Sequence, residues 1–152
     1  MIAPELISND EELRLIMPNV ERDAQTSIGW LEGEEGRETL RSMGVTEGDI
    51  SEPTLEGEEE RIRELIESQH RIAWMIEHDG DIIGVVVVEL NATKYLDAPA
   101  VSVMIGDSWE RGKGIGTSAL RLAIDWLHAE QEDLFIFARH RVSNEAAAQV
   151  LL

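Results

Sequence analysis

The chain has 152 residues, enough for one domain with a core of its own, and its formal net charge is −18 from 31 acidic and 13 basic residues. A surface with this much negative charge repels nucleic acid backbones. The chain has no cysteine, which excludes disulfides, zinc–thiolate sites and cysteine nucleophiles. The histidines lack metal-ligand spacing, and no apolar run of about 18 residues or secretory signal is present. We therefore expect a cytoplasmic protein, a single domain over residues 1–152, without metal, nucleic acid or membrane partners.

The acidic surface has two interpretations. It would attract cationic substrates, such as amines or basic peptide termini, by long-range electrostatic steering. It would equally serve solubility or adaptation to high internal salt, where lysine-poor acidic surfaces are common; Lys94 and Lys113 are the two lysines of the chain. Composition leaves both interpretations open.

The first third of the chain predicts a strand followed by helices. Residues 12–17 alternate as a strand does before Pro18. Residues 19–31 carry apolar side chains at three- and four-residue spacing, which predicts a helix. The glycines within 32–36 predict a break, and residues 37–43 predict a further short helix.

The middle of the chain predicts a helix and a β-hairpin. Residues 46–57 form a polar loop, and a helix over 58–68 begins with three glutamates, which favour a helix N-terminus. Two strands follow, over 71–77 and 82–90. Asp79-Gly80 between them suits a type I′ turn, so the two strands should pair antiparallel.

The second half predicts a central strand and a parallel pair. The unbroken valine run at 85–88 indicates a strand buried on both faces, and Gly84 marks a bulge or is simply small. A strand over 100–105, a helix over 114–131 and a strand over 134–138 form a βαβ unit, so its strands should run parallel. The predicted fold class is α+β, with a mixed, mostly antiparallel central sheet flanked by helices.

A glycine-rich run, Arg111-Gly112-Lys113-Gly114-Ile115-Gly116, joins the strand to the long helix. Its third glycine comes one residue too early for a dinucleotide fingerprint, and Lys113 precedes the last glycine instead of following it as in a Walker loop. A strand, a glycine-rich loop and a helix N-terminus in that order form an anion site. The alternative is a glycine-rich helix start without a ligand.

The spacing R-x-x-G-x-G in this run resembles that of the GNAT superfamily of acetyl-CoA-dependent N-acetyltransferases. The segments 105–106, 112–117 and 144–151 resemble in particular the RimJ/RimL-like branch, which acetylates the N-termini of ribosomal proteins. The resemblance is specific over 100–152 and only topological before it. It implies a GNAT-like fold whose parallel strands splay apart to admit acetyl-CoA.

This resemblance assigns the cofactor contacts. The backbone of Val103, Met104 and Ile105 would hydrogen-bond the pantetheine arm, and the side chain of Asn144 would reach it from the opposite wall. The pyrophosphate would be held by Arg111, Gly112, Lys113, Gly114, Ile115, Gly116 and Thr117. Trp30 is expected to pack in the core or at its rim, with contact to cofactor or substrate as the alternative.

The general base stays open. Members of this branch often carry a glutamate early in the strand before the loop, and aligning on Ile105-Gly106 places Ala100 there. An amine must lose its proton to attack a thioester, so an acceptor is needed. Asp97 in the preceding loop, Glu89 on the neighbouring strand and a chain of waters are the alternatives.

The C-terminus departs from the resembling families, which continue with further strands and often place a tyrosine that protonates the leaving thiolate. Here the chain ends at Leu152. We expect the domain to lack those C-terminal strands and to expose the strand at 134–138, which would favour self-association, for example as a homodimer.

Two functions follow from these residues. The first is an N-acetyltransferase that moves the acetyl group from acetyl-CoA to a primary amine, either a protein N-terminus or a small cationic amine, by direct attack. The second is an acyl-CoA-binding module with little turnover, which Ala100 and the short C-terminus would suit.

Overall fold

The computed structural model describes residues 3–9, 11–42, 46, 48, 52–90, 100–106, 112, 114–130 and 137–138. Its strands are β1 (Leu6–Ile7), β2 (Leu13–Ile16), β3 (Arg71–His78), β4 (Asp81–Glu89), β5 (Ala100–Ile105) and β6 (Phe137–Ala138). Its helices are α1 (Val20–Leu31), α2 (Gly33–Ser42), α3 (Leu55–Glu67) and α4 (Ile115–Glu130). Residues 144–151, which carry part of the family resemblance, lie outside the described residues.

The strands form one sheet in sequential order, β1 to β6. Neighbouring strands from β1 to β5 are antiparallel, and β5 and β6 are parallel, with Ala100 opposite Phe137 and Val101 opposite Ala138. The α+β fold with a mostly antiparallel sheet is therefore confirmed, and so is the parallel direction of the βαβ pair. The expected splaying of that pair falls on residues beyond 138 and lies outside the described part of the chain.

The β3–β4 hairpin has the predicted two-residue turn. Asp79 and Gly80 both have positive φ, 51° and 85°, as a type I′ turn requires. The register of β3 and β4 shifts between Ile76 and Glu77. Ile76 pairs with Gly84 and Glu77 pairs with Ile82, so Ile83 is the extra residue of a β-bulge. Of the two alternatives for Gly84, a bulge is present, but it lies beside Gly84 and not at it; Gly84 is also a position where a Cβ would have no room.

The sheet buries both of its faces. One face packs on α4 and forms the main core with residues Leu13, Leu15, Ile72, Trp74, Ile76, Ile83, Val86, Val88, Val101, Ile115, Ala119, Leu120, Ala123 and Leu127. Within it, the rings of Trp74 and Trp126 meet edge to face at 5.4 Å, and Trp74 Nε1 donates to the Pro4 carbonyl oxygen at 3.0 Å. Because side chains alternate along a strand, Ala73, Met75 and Val85 are buried on the other face, towards α1 and α3.

The N-terminus of α1 is fixed by a buried carboxylate. The Asn19 side chain accepts the Arg22 backbone N–H at 3.0 Å, and Asp23 Oδ2 accepts the Asn19 N–H at 2.6 Å. The Arg22 guanidinium donates to both Asp23 oxygens, at 2.7 and 2.9 Å. Asp23 is 0% exposed, so these bonds are what permits its burial. The hydrogen bonds that Arg22 donates to Asp23 raise the pKa of Arg22 above its usual range, and burial opposes that rise.

Two predicted helix starts are wrong. Helix α3 begins at Leu55, not at residue 58, because Thr54 caps it by accepting the Gly57 N–H at 3.0 Å. Glu58 consequently lies one turn inside the helix, where it is 5% exposed and accepts a hydrogen bond from Arg61 Nε at 2.7 Å.

Helix α1 ends at Leu31 and the chain breaks there as predicted, but the break is shorter than predicted because α2 begins at Gly33, so residues 33–36 are helical. The glycines make a tight corner with α1: Gly33 has φ +68°, and a Cβ on Gly36 would collide with the backbone of Leu31. The pattern also missed strand β1, which is two residues long.

Candidate functional site

The predicted strand, loop and helix are present in that order. Strand β5 covers residues 100–105 as predicted, and the Gly106 N–H extends its ladder by donating to the Ile83 carbonyl oxygen at 2.8 Å. Helix α4 begins at Ile115, where the Ser118 N–H donates to the Gly114 carbonyl oxygen at 3.1 Å. The first backbone N–H groups of a helix have no acceptor within it, so those of α4 are the donors that a ligand at this loop would meet.

The two described loop glycines have left-handed backbone conformations. Gly112 and Gly114 have φ of +80° and +79°, a conformation that favours glycine. Among the described residues, no atom lies within 4 Å of a Cβ built on either one. A phosphate site needs close approach to the backbone and the positive end of a helix dipole, and glycine residues before a helix allow both.

Gly116 has a different role from the other two. A Cβ there would make ordinary contacts with Ile105 Cγ1 at 3.5 Å and Val103 Cγ1 at 4.0 Å. The first turn of α4 therefore packs beside β5 at a distance that leaves room for a methyl group at Gly116. Ile115 is buried in the core under the loop, and Thr117 is half-buried.

Strand β5 carries the residues predicted to contact pantetheine. Its β4 edge is paired along the whole strand, with Val103 opposite Val86 and Met104 opposite Val85. On its other edge, among the described residues, β6 pairs with Ala100 and Val101. Residues 103–105, where the pantetheine contacts were predicted, lie further along the strand, towards the loop.

Four of the predicted site residues lie outside the described residues. They are Arg111, Lys113, Asn144 and Asp97. Their expected contacts with pyrophosphate and pantetheine, and the role of Asp97 as a base, stay predictions.

Glu89 lies beside the position that lacks the family's glutamate. It pairs with Ala100 across the β4–β5 ladder and with Arg71 across the β3–β4 ladder. Directly paired residues point to the same face of a sheet, so the half-buried Glu89 side chain lies over Ala100, which is 4% exposed. This is the face that carries α1 and α3.

A contact that the sequence pattern did not specify joins α1 to the end of β5. The indole of Trp30, in the last turn of α1, lies directly on Gly106, and a Cβ there would collide with Trp30 Cγ, Cδ2 and Cε3. Trp30 is half-buried, whereas Gly106 is buried. The Ile105-Gly106 pair contains a signal for this contact, since a glycine at a strand end indicates close approach by another group.

The described residues contain no group of three or more His, Asp or Glu side chains that could hold a metal ion. None of the helices within them is long and apolar enough to cross a membrane.

Solved acetyltransferases share this fold. The microcin C7 self-immunity acetyltransferase MccE, solved with acetyl-CoA and AMP, has a TM-score of 0.69 at 14% identity, over 92% of this chain and 76% of its own. The aminoglycoside acetyltransferase AAC(6')-Ib, solved with coenzyme A, has a TM-score of 0.67 at 19% identity, over 91% and 79%. Mycobacterium smegmatis RimJ, solved with CoA-disulfide, has a TM-score of 0.70 at 19% identity, over 91% and 67%.

These identities show a common fold and not a common substrate. A search of curated proteins finds no significant match. The family model described as the acetyltransferase (GNAT) domain, however, matches residues 12–152. The chain therefore belongs to the GNAT acetyltransferase domain family.

Proposed function

We propose that this protein transfers the acetyl group of acetyl-CoA to a primary amine. Acetyl-CoA is the cosubstrate of GNAT domains, as the sequence resemblance implied. The observation that carries the proposal is the loop at Gly112 and Gly114, whose φ values are both positive and which lies between the end of β5 and the start of α4. It would take the pyrophosphate, while the backbone of residues 103–105 would take the pantetheine arm.

The reaction is a direct transfer. The uncharged amine nitrogen attacks the thioester carbonyl carbon, so that a C–N bond forms and the C–S bond breaks. The sulfur leaves with the bonding electrons and takes up a proton, and the amine nitrogen loses one to a base. The protein's contribution is to align the two reactants and to accept that proton, since alignment alone can supply a large share of the rate enhancement.

Glu89 is the base that we favour. The glutamate expected early in β5 is replaced by Ala100, and Glu89 reaches the same face of the sheet from the neighbouring strand. The Glu89 carboxylate, opposite Ala100, would lie beside the thioester end of a pantetheine arm whose other end contacts residues 103–105. Asp97 and a water chain would be the acceptors if Glu89 proves dispensable.

The acceptor that we propose is a cationic amine, in the manner of the RimJ/RimL-like branch. The fold likeness to RimJ supports this branch, and the net charge of −18 supports a positively charged acceptor through steering. Protein N-termini and small polyamines both meet this description.

A thermal-shift assay with acetyl-CoA tests binding, and thiol release with a panel of amines tests turnover. At about 100 times its Kd, a ligand stabilises the folded state by about 2.7 kcal/mol, which a melting curve detects readily. Stabilisation together with thiol release supports the transferase. Stabilisation without release from any amine would support an acyl-CoA-binding module, and no stabilisation would reject both.

A further inference from the structure

The contact between Trp30 and Gly106 links the helical layer to the strand that carries the cofactor backbone contacts. Gly106 directly follows β5, and its N–H is held by the Ile83 carbonyl oxygen at 2.8 Å. Its other face is covered by the Trp30 indole so closely that even a methyl group has no room. The end of β5 is therefore held both by a hydrogen bond in the sheet and by an aromatic ring above it.

The covered residue is also the last described one before the loop. From Gly106 the chain continues through residues 107–111 to Gly112 and Gly114, whose φ values are both positive. A glycine without such a cover would retain more backbone freedom than any other residue type. Ordering that backbone would then lower the affinity for a ligand that needs it ordered.

We propose that Trp30 is a positioning residue for acetyl-CoA: its indole, seated on Gly106, fixes the end of β5 and the entry to the glycine-rich loop before the cofactor arrives. Trp30 acts through Gly106 and need not touch the reacting atoms. The inference rests on the proposed function, because it assumes that the loop binds acetyl-CoA.

The expected signature is a change in cofactor affinity without a change in chemistry. The variant Trp30→Ala should raise the Kd for acetyl-CoA about tenfold, because the freed backbone must be ordered on binding. Its kcat at saturating acetyl-CoA should stay within about twofold of wild type, since the bound state is the same. Trp30→Phe should recover most of the affinity, because a phenyl ring still covers the glycine.

The matched control is Trp126→Ala. Trp126 packs against Trp74 in the α4 core, on the opposite face of the sheet from α1. Its loss should destabilise the fold comparably and leave the Kd of the folded fraction unchanged. The measurements are isothermal titration with acetyl-CoA, melting curves and steady-state kinetics on all of these variants.

A second variant tests the same contact if Trp30→Ala does not fold. Gly106→Ala adds one methyl group that displaces the indole, so it should raise the Kd by a similar factor. In a Trp30→Ala background the same substitution should add little, as expected for two residues that act through one contact.

The outcomes separate the two proposals. Wild-type protein that does not bind acetyl-CoA would reject the proposed function and this inference with it. Wild-type binding with an unchanged Kd in Trp30→Ala, or in Gly106→Ala when Trp30→Ala does not fold, would reject the inference alone. A raised KM for the amine with an unchanged Kd for acetyl-CoA would also reject it, since Trp30 would then be part of the acceptor wall.

Discussion

Gly84 on β4 and Met104 on β5 approach each other so closely that a Cβ on Gly84 would collide with the Met104 carbonyl oxygen. The same Cβ would lie 3.1 Å from Ile105 Cα and 3.2 Å from Ile76 Cδ1. Two of these three atoms belong to backbone that cannot rotate away. Gly84 therefore sets the distance between the central strand and the strand proposed to hold the pantetheine arm.

Gly84→Ala should destabilise the protein by about 1–3 kcal/mol, because the added methyl group pushes two central strands apart. For a chain of this size that corresponds to a fall in Tm of several degrees. The matched control is Gly29→Ala on α1, where no described atom lies within 4 Å of the new Cβ and φ is ordinary. Helix propensity should make that variant neutral or more stable by about 0.5–1 kcal/mol. A Gly84→Ala protein that melts at or above the wild-type temperature would contradict the close approach.

Gly114→Leu should abolish stabilisation by acetyl-CoA. The side chain would fill the space beside the loop backbone, where the pyrophosphate is proposed to lie, and would strain a residue with φ of +79°. The control is Gly80→Leu, which introduces the same strain at φ +85° in the β3–β4 turn. Both variants should melt at a lower temperature than wild type, but only Gly80→Leu should still respond to acetyl-CoA. If acetyl-CoA still raises the melting temperature of Gly114→Leu as it does for wild type, the pyrophosphate binds elsewhere.

The elements with strong periodicity were predictable from sequence. The bounds of β5 and the two-residue turn at Asp79-Gly80 follow from local patterns, because an apolar run and an Asp-Gly pair each favour one backbone geometry. The left-handed backbone at Gly112 and Gly114 follows equally from the local pattern, since glycine adopts this conformation without a steric penalty.

Features that depend on tertiary contacts were not predictable. The glycines at 33 and 36 predict the break after α1, but not the tight corner at which α2 begins directly at Gly33. Glu58 was placed in the first turn of its helix, but α3 begins earlier, and there Glu58 is buried and paired with Arg61. Gly106 signals a close approach by another group, but its partner Trp30 is far away in the chain and no local pattern identifies it.

Glu89→Gln should lower kcat about 100-fold near pH 7, a typical contribution of a general base. The loss should shrink as the pH rises, because the amine then deprotonates in solution and no longer needs the carboxylate. The control is Glu77→Gln, a half-buried glutamate at the other end of the sheet on β3. A Glu89→Gln enzyme with a wild-type pH profile would assign the proton transfer to Asp97 or to water.

Asp23→Ala should destabilise the fold by about 2 kcal/mol. It leaves the Asn19 N–H without its acceptor and opens a void at a fully buried position, whereas the half-exposed Arg22 can regain water. Asp23 raises the pKa of Arg22 in the folded state. A group with a raised folded-state pKa stabilises the fold fully at pH values below its unfolded-state pKa, and this stabilisation is lost as the pH rises through its folded-state pKa. Both pKa values lie far above neutrality, so this contribution should be constant between about pH 6 and about pH 9. Chemical denaturation at both ends of that range checks it, with Glu21→Ala, an exposed acid in the same turn, as a control that should change stability little.

Salt dependence should decide between the two interpretations of the acidic surface. If the charge of −18 steers a cationic acceptor, kcat/KM for a diamine should fall steeply as salt rises from about 0.05 M to about 0.5 M, because screening shortens the reach of the field. An amine of similar size whose second amino group is replaced by hydroxyl should respond much less, which makes it the matched control. If the charge instead reflects adaptation to high salt, the Tm should rise strongly over the same range as mutual repulsion is screened, and the two amines should respond alike. Parallel kinetics and melting curves at each salt concentration measure both effects on one protein sample.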